Sequence, residues 1–296
     1  MTLYKELQLR VMWVNEHYRE SEWKIHYISD PDTIFWFVLS GKKRVQIDGA
    51  CYDLKCGDFV VRPPFCSIKT LEGDPEDATH FHYLVLRCEL RVSHFQFVKL
   101  YGFPPVQYFG DFPDLSHFHD LWKHLIRLWE ERYIHKIETV SNYKRQLKPL
   151  LALNTEQTAD VLGFYAVFYQ WFSMMLMYSR HNIKQALTID ERIQRVSDYI
   201  WTHLHAELTP TTIANHFFIS ESYLRLLFRS SMDVSLMKYV RQSRHQHAQY
   251  LLLTTEKSVR EIANQVGFED QSKFSRAFKH KEGMSPREYR KASREI

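Results

Sequence analysis

Within residues 189–296 one pattern of apolar residues and turn signals occurs twice. The first copy runs from Leu208-Thr209-Pro210 through Ile213-Ala214 and Phe217-Phe218-Ile219-Ser220 to Tyr223-Leu224 and Phe228. The second runs from Ser258-Val259 through Ile262-Ala263 and Val266-Gly267-Phe268 to Phe274 and Phe278. Each copy reads as a short helix with an Ile-Ala pair, a tight turn, and a second helix with apolar residues at i and i+4. In such a helix-turn-helix the buried side chains clamp two helices at a steep angle, and the outer face of the second is left for a DNA groove.

The positions can be read one by one. Gly267 suits a helix end, because glycine takes positive φ without steric cost. Asp270 and Ser220 are expected to cap the helices that follow them, accepting hydrogen bonds from free amides. With Phe274 and Phe278 turned inward, the second copy keeps Gln271, Ser272, Lys273, Ser275 and Arg276 on its outer face. Gln and Arg match adenine and guanine edges, while Ser and Lys suit phosphates or mixed contacts. In the first copy, inward Leu224 and Phe228 leave Ser222, Arg225 and Leu226 outside. Leu226 offers only apolar contact, so the first helix is expected to make fewer hydrogen bonds to bases than the second.

Residues from about 190 to 294 resemble the DNA-binding domain of the AraC/XylS family of bacterial transcription regulators. The resemblance is carried in the second copy by Glu261-Ile262-Ala263, Val266-Gly267-Phe268, Phe274-Ser275-Arg276-Ala277-Phe278-Lys279, Gly283-Met284-Ser285-Pro286 and Tyr289-Arg290. In the first it is carried by Tyr199-Ile200, Leu208-Thr209, Ile213-Ala214, Ser220, Tyr223-Leu224 and Phe228, and between the copies by Arg244, Ala248 and Leu251-Leu252. Asp233 stands where the family has a turn glycine, and His245 where a leucine is common. The resemblance implies double-stranded DNA as a partner, RNA polymerase as a further one, and transcriptional activation as the usual outcome.

Charge follows the same division. Residues 188–296 hold 17 Lys and Arg against 13 Asp and Glu, so the whole formal excess of +4 falls there, and the rest of the chain holds 22 of each sign. Localised positive charge neutralises phosphate and steers encounter with a polyanion. The 296 residues suggest two domains. Cys51, Cys56, Cys66 and Cys88 form no CxxC pair and read as buried free thiols of a reducing cytoplasm. Met1 to Glu6 lacks the basic start and apolar core of a signal peptide.

Residues 8 to about 108 read as β-rich. Strand-like runs at Trp23–Ile28, Ile34–Leu39, Arg44–Ile47, Phe59–Val61 and Phe81–Leu86 alternate with turn signals at Asp30-Pro31-Asp32, Ser40-Gly41, Asp48-Gly49, Cys56-Gly57-Asp58 and Pro63-Pro64. Short, evenly punctuated strands suggest a barrel or jelly roll. The string Phe37-Val38-Leu39-Ser40-Gly41, Asp48-Gly49, Tyr52-Asp53-Leu54 and Gly57-Asp58-Phe59 through Pro63-Pro64 resembles the cupin-type sensory domain of many AraC-family members. That resemblance implies a small-molecule effector, such as a sugar or another metabolite. Trp36, Arg62, His80, His82 and Tyr83 are the candidate pocket residues, although strand alternation turns Tyr83 away from His80 and His82. The alternative is a metal-dependent cupin enzyme with a degenerate C-terminal domain. Against it, the closely spaced histidines of cupin metal sites are missing, and Ile68 falls near the place of one of them. No catalytic constellation, metal site or cofactor motif is identified.

Leu115 to Ile137 carries Leu121, Trp122, Leu125, Leu128 and Trp129 as a helical stripe. Val161 to Tyr178 is apolar all round and approaches the length a bilayer needs. Its Gly163, Gln170 and Ser173 favour burial in protein, in part against a second copy of the chain. The sequence therefore predicts an α+β chain: a cupin-like β-barrel over 1–110, a helical dimerisation region over 111–180, a linker over 181–188, and an all-α domain with two helix-turn-helix motifs over 189–296. The expected protein is a cytoplasmic, homodimeric, non-enzymatic DNA-binding regulator with no membrane span.

Overall fold

The computed structural model describes residues 7–20, 22–25, 28–29, 31–71, 80–92, 95–134, 154–183, 191–232 and 234–292. Expectations that rest on Met1–Glu6, Asp30, Asp233, residues 135–137 or most of the linker, including the start of the last domain at Ile189, lie outside the described residues. The fold is mixed α+β, and the chain divides into two compact units. One is built from Leu7–Arg91 with Gln96–Gln185, the other chiefly from Ala186–Ile296.

The first unit is organised by one long strand. Strands β1 (Leu7–Glu20), β2 (Ile28–Ser29), β3 (Thr33–Ile47), β4 (Ala50–Lys55) and β5 (Asp58–Arg62) are followed by β6 (Ser67–Thr70), β7 (His80–Val92), β8 (Phe95–Gln96) and β9 (Val106–Tyr108). The first half of β3 lies between β5 and β7, and its second half between β4 and β6, all antiparallel. The main path runs β1-β7-β3-β5-β9 and has two ends. The described strands thus form an open antiparallel sheet, where the sequence predicted a barrel.

Two sequence expectations are corrected here. Ser40-Gly41 is not a turn. Both residues pair with β7 inside a continuous β3, directly after a slip of register at Leu39, between Val38 and Ser40. Gly41 sits at φ +83°, and a Cβ there would lie 2.0 Å from the His80 carbonyl oxygen, so only glycine lets the strands approach. Trp23–Ile25 forms no strand. Ile25 is instead pinned by an exchange with Thr70, whose Oγ1 accepts from the Ile25 amide at 2.9 Å and whose own amide donates to the Ile25 carbonyl. Asp48-Gly49 does form the two-residue turn expected of it. Both residues have positive φ, and Ile47 pairs with Ala50.

Both faces of the sheet are covered. A short helix α1 (Phe97–Leu100) follows β8. Odd residues of β3, Phe35 and Phe37, face helix α2 (Leu115–Leu128) and helix α3 (Thr155–Ser179). Phe35 meets Trp171 at 5.6 Å between ring centroids, Phe37 meets Phe118 at 6.1 Å, and Trp122 packs edge-on to Trp171 at 4.9 Å. Even residues Ile34, Trp36 and Val38 face a second core with Val60, Phe81, Tyr83 and Val85. This is the period of two written into a strand with two apolar faces. A π-helical turn, Trp129–Ile134, extends α2. Among the described residues α3 is the one helix long and apolar enough to cross a membrane, and a third of its apolar window is buried. Its inward face holds Phe164, Phe168, Trp171, Phe172 and Met175, whereas Leu162, Tyr169 and Met177 are exposed. Within one copy of the chain the helix is therefore buried on one side only. Of the four thiols, Cys66 and Cys88 are buried, but Cys51 and Cys56 are exposed on and beside β4, against the expectation for all four.

The second unit is entirely helical over its described residues: α4 (Glu191–Thr202), α5 (Pro210–His216), α6 (Glu221–Met232), α7 (Leu236–Thr254), α8 (Val259–Gln265), α9 (Gln271–Glu282) and α10 (Pro286–Ala292). Ile193, Val196, Ile200, Ile213, Leu224 and Phe228 form one core, joined by Leu236 and Val240 from the start of α7. Val259, Ile262, Val266, Phe274, Phe278 and Tyr289 are buried in the second helix-turn-helix. Burying one such side chain fully contributes about 1.5–3 kcal/mol. The helices are short, so these clusters rather than intrinsic propensity must hold them.

Candidate functional site

The two helix-turn-helix units are built alike. Helix α5 opens on a reciprocal cap between Thr209 and Thr212, and α8 on the same device between Ser258 and Glu261. Each helix ends in the same turn. The Ile219 amide donates to the Ala214 carbonyl at 3.1 Å, and the Phe268 amide donates to the Ala263 carbonyl at 2.8 Å. A six-residue closure of this kind places the residue before the donor in the left-handed region. In the second unit that residue is Gly267, at φ +79°; in the first it is Phe218, at φ +54°. Phe218 is also 96% exposed. Sequence reasoning missed this residue, since phenylalanine carries no signal for positive φ.

The second helix of each unit is capped as expected. Asp270 accepts from the Lys273 amide at 2.7 Å, and Ser220 Oγ accepts from the Tyr223 amide at 3.2 Å. The bond from the Lys273 amide holds the Asp270 carboxyl below its ordinary range. On α9, Ser272, Lys273 and Arg276 are exposed, while Gln271 and Ser275 are half-buried. On α6, Ser222, Arg225 and Leu226 are exposed, Leu226 at 69%. Arg225 is engaged. Its Nη2 and Nε lie 2.7 and 2.9 Å from Glu221 Oε1, and Thr211 Oγ1 donates to the other carboxylate oxygen at 2.8 Å. These bonds, from Thr211 first and then Arg225, lower the Glu221 carboxyl. Tyr223, also exposed, is bonded to Arg192, whose guanidinium lies over its ring.

Helix α7 connects the two units. Arg244 Nε donates to the Leu204 carbonyl at 3.1 Å and Nη2 to the Ala206 carbonyl at 2.7 Å, both in the α4–α5 loop. His245 lies 2.6 Å from Glu282 and packs on Phe278 at the end of α9. Burial is the larger influence on the His245 imidazole and lowers its pKa, with Glu282 opposing.

In the first unit the predicted pocket residues separate. Trp36, Arg62 and Tyr83 are buried together: Trp36 and Tyr83 are 5.0 Å apart between centroids, and the Arg62 guanidinium lies 5.6 Å over the Trp36 ring. His80 and His82 lie on the other face of β7. His80 bonds Ser40 at 2.8 Å and stacks on Tyr18, and His82 meets Glu16 at 2.7 Å. Among the described residues no three His, Cys, Asp or Glu side chains stand together to hold a metal ion. Beside Tyr83 the structure adds His17, Arg19 and Trp23, which sequence reasoning missed. The available signal was the alternation of Trp13, His17 and Arg19 along β1.

Residues 213–292 match a family model described as a helix-turn-helix domain. Over 99 residues the chain is 38% identical to the Msm operon regulatory protein of Streptococcus mutans, covering 33% of this chain and 36% of that protein. Over 122 residues it is 30% identical to an HTH-type transcriptional regulator of Staphylococcus aureus, covering 39% of this chain and 16% of that one. The chain thus spans about a third or less of the length of these curated relatives. Among solved structures, the C-terminal domain of AraT, a response regulator from Geobacillus stearothermophilus, is 32% identical, with 35% of this chain and 87% of that chain covered and a TM-score of 0.34. The helical module that carries both helix-turn-helix units thus belongs to the AraC-type helix-turn-helix domains.

Proposed function

We propose that the chain is a sequence-specific DNA-binding transcription regulator, with α6 and α9 as its two reading helices. The observation that carries this reading is the pair of equivalent turns, each followed by a capped helix with a polar outer face, on one α7 scaffold. Arg276 reads a base edge, with Gln271, Ser272, Lys273 and Ser275 alongside it. Ser222, Arg225 and Leu226 make the contacts of the first helix. The formal charge excess of the module supports phosphate binding by both.

The β-rich unit, cupin-like in its sequence motifs, binds a small-molecule effector on the inner face of its sheet, around Trp36, Arg62 and Tyr83. A second copy of the chain packs on the outward face of α3, which supports a homodimer: Leu162, Tyr169 and Met177 leave apolar surface uncovered in one copy. Effector binding then alters how two modules engage DNA in the cytoplasm, and activation proceeds through contact with RNA polymerase. Linkage requires such an effector to bind with different affinity when operator is present.

The test is recovery of sheared genomic DNA on the purified full chain at physiological salt, followed by sequencing. Enriched sites with two segments about one helical turn apart are expected. Recovery with no sequence enrichment, with and without cell extract as a source of effector, overturns the reading.

A further inference from the structure

The inner face of the first unit's sheet has an unusual chemistry for a core. Its floor is buried: Trp36, Arg62, Phe81 and Tyr83 are each less than 5% exposed. Its rim is half-buried and comes from the chain preceding β2: Trp13, His17, Arg19 and Trp23. The two layers meet at Tyr83. Its ring lies 5.4 Å from His17, 5.8 Å from Trp23 and 5.0 Å from Trp36. Arg19 and Arg62 both place positive charge near its hydroxyl, although burial outweighs them and raises its pKa.

Two guanidiniums therefore sit among the aromatic rings around Tyr83, Arg19 over Trp23 and Arg62 over Trp36. The contacts of Arg19 among the described residues are Tyr83, the Trp23 face at 5.5 Å and His17 Nδ1 at 3.5 Å, none of them acidic. Its Nε has no hydrogen-bond partner among the described residues. The local field is positive enough to show on a neighbour: burial, and then the charge of Arg19, push the His17 imidazole down to about 4. On Arg19 a planar donor fork with its Nε–H unused among the described residues suits a carboxylate or phosphate, and flat indole faces suit a ring or carbon skeleton.

We infer that the inner face of this sheet binds a small organic anion, with its carboxylate or phosphate between Arg19 and Arg62 and its carbon skeleton against Trp23 and Trp36. The inference rests on the reading of this unit as an effector domain and narrows the effector to an anionic class. His17, kept neutral, adds a donor or acceptor without a charge of its own.

The experiment titrates the full chain with matched pairs of anion and neutral analogue: benzoate with benzyl alcohol, and gluconate and glucose 6-phosphate with glucose. Tryptophan fluorescence is the readout, because the rings line the site. The anion of at least one pair is expected to bind about tenfold or more tightly than its neutral analogue, the effect of a lost charge-assisted hydrogen bond. That preference should disappear in Arg19→Gln. Because Arg62 is buried, Arg62→Lys is the second variant, keeping charge while losing the fork. Whether gluconate or glucose 6-phosphate binds separates carboxylate from phosphate. Neutral binding at equal strength, unaffected by Arg19→Gln, overturns the anion assignment and leaves the effector reading standing. No binding by any anion also overturns the assignment. Recovery of DNA by the same protein sample independently tests the regulator reading.

Discussion

A Cβ added to Gly267 would lie 2.6 Å from the Arg244 guanidinium and 2.4 Å from the carbonyl oxygen of Leu204. The turn of the second helix-turn-helix thus closes on the same arginine that holds the α4–α5 loop of the first. One residue on α7 sets the spacing between the two units, and one missing methyl lets them come together. Rigid spacing is what a double reader of DNA requires, since both helices must reach their groove segments at once.

Gly267→Ala combines a strained φ with a clash against backbone. A loss of about 1–3 kcal/mol in urea unfolding of the full chain is expected. Arg244→Met strips hydrogen bonds from the Leu204 and Ala206 carbonyls, for a loss of about 1–3 kcal/mol. Because both changes act on one junction, the double variant should lose less than the two losses added together. Simple additivity would mean that the contact between the two residues carries no energy in solution.

The equivalent position in the first unit behaves oppositely. Phe218 holds a left-handed conformation with a side chain that is almost wholly exposed. Phe218→Gly removes that strain and little packing, so a gain of about 0.5–1 kcal/mol is expected despite the extra chain entropy of glycine. A lower melting temperature in the variant would mean that the ring is packed against something in solution.

These two turns also show how far the sequence could be read. The repeated Ile-Ala pairs, the caps at Ser220 and Asp270 and the glycine at 267 are local signals, and each fits a local structure. Phe218 gives no local signal, because its conformation is imposed by the helices on either side. Likewise Ser40-Gly41 has the composition of a turn, and only the pairing with β7 keeps it inside a strand. The inner cluster was half legible: Trp36, Arg62 and Tyr83 stand on recognisable strands, but His17 and Arg19 join them through sheet pairing, which depends on the register of distant segments.

Acid should loosen the helical module before neutral conditions do. The Asp270, Glu261 and Glu288 carboxyls are all held below their ordinary range, chiefly by hydrogen bonds at helix starts. For a carboxyl whose folded pKa is depressed, stability is complete above its unfolded pKa, near 4, and is lost as pH falls toward the folded value. Asp270→Asn keeps the cap and removes the titration. Its melting temperature should match the parent at pH 7 and fall less steeply below about pH 4. An unchanged acid slope would assign that slope to the other carboxyls.

His245 predicts a second window. Its imidazole pKa is lowered mainly by burial, so the unfolded chain takes up the proton first as pH falls below about 6.5. Stability contributed by the neutral ring is complete above that pH and declines as pH drops toward the folded value. His245→Leu should abolish this dependence. It should also cost about 1–3 kcal/mol at pH 7, since Glu282 loses its partner in a site only 10% exposed. Adding Glu282→Met to that variant should restore most of the loss.

The pair of Glu221 and Arg225 sets the last expectation, on DNA affinity. Both side chains are exposed, so their ion pair is worth little to folding and yields to a better partner. While it lasts, however, the Glu221 carboxylate offsets the charge that Arg225 would offer to a phosphate or a guanine edge. Glu221→Gln removes the competing charge and leaves the amide to accept from Thr211. Affinity for the recovered sites should rise a few-fold, with a steeper dependence on salt as one more cation engages DNA. On the other helix, Arg276→Ala should weaken binding by about 1–3 kcal/mol and relax a single base preference, whereas Leu226→Ala should cost less. Equal loss on every sequence in Arg276→Ala would assign that arginine to the phosphate backbone, and weaker binding by Glu221→Gln would mean that the carboxylate itself orients Arg225 for its contact.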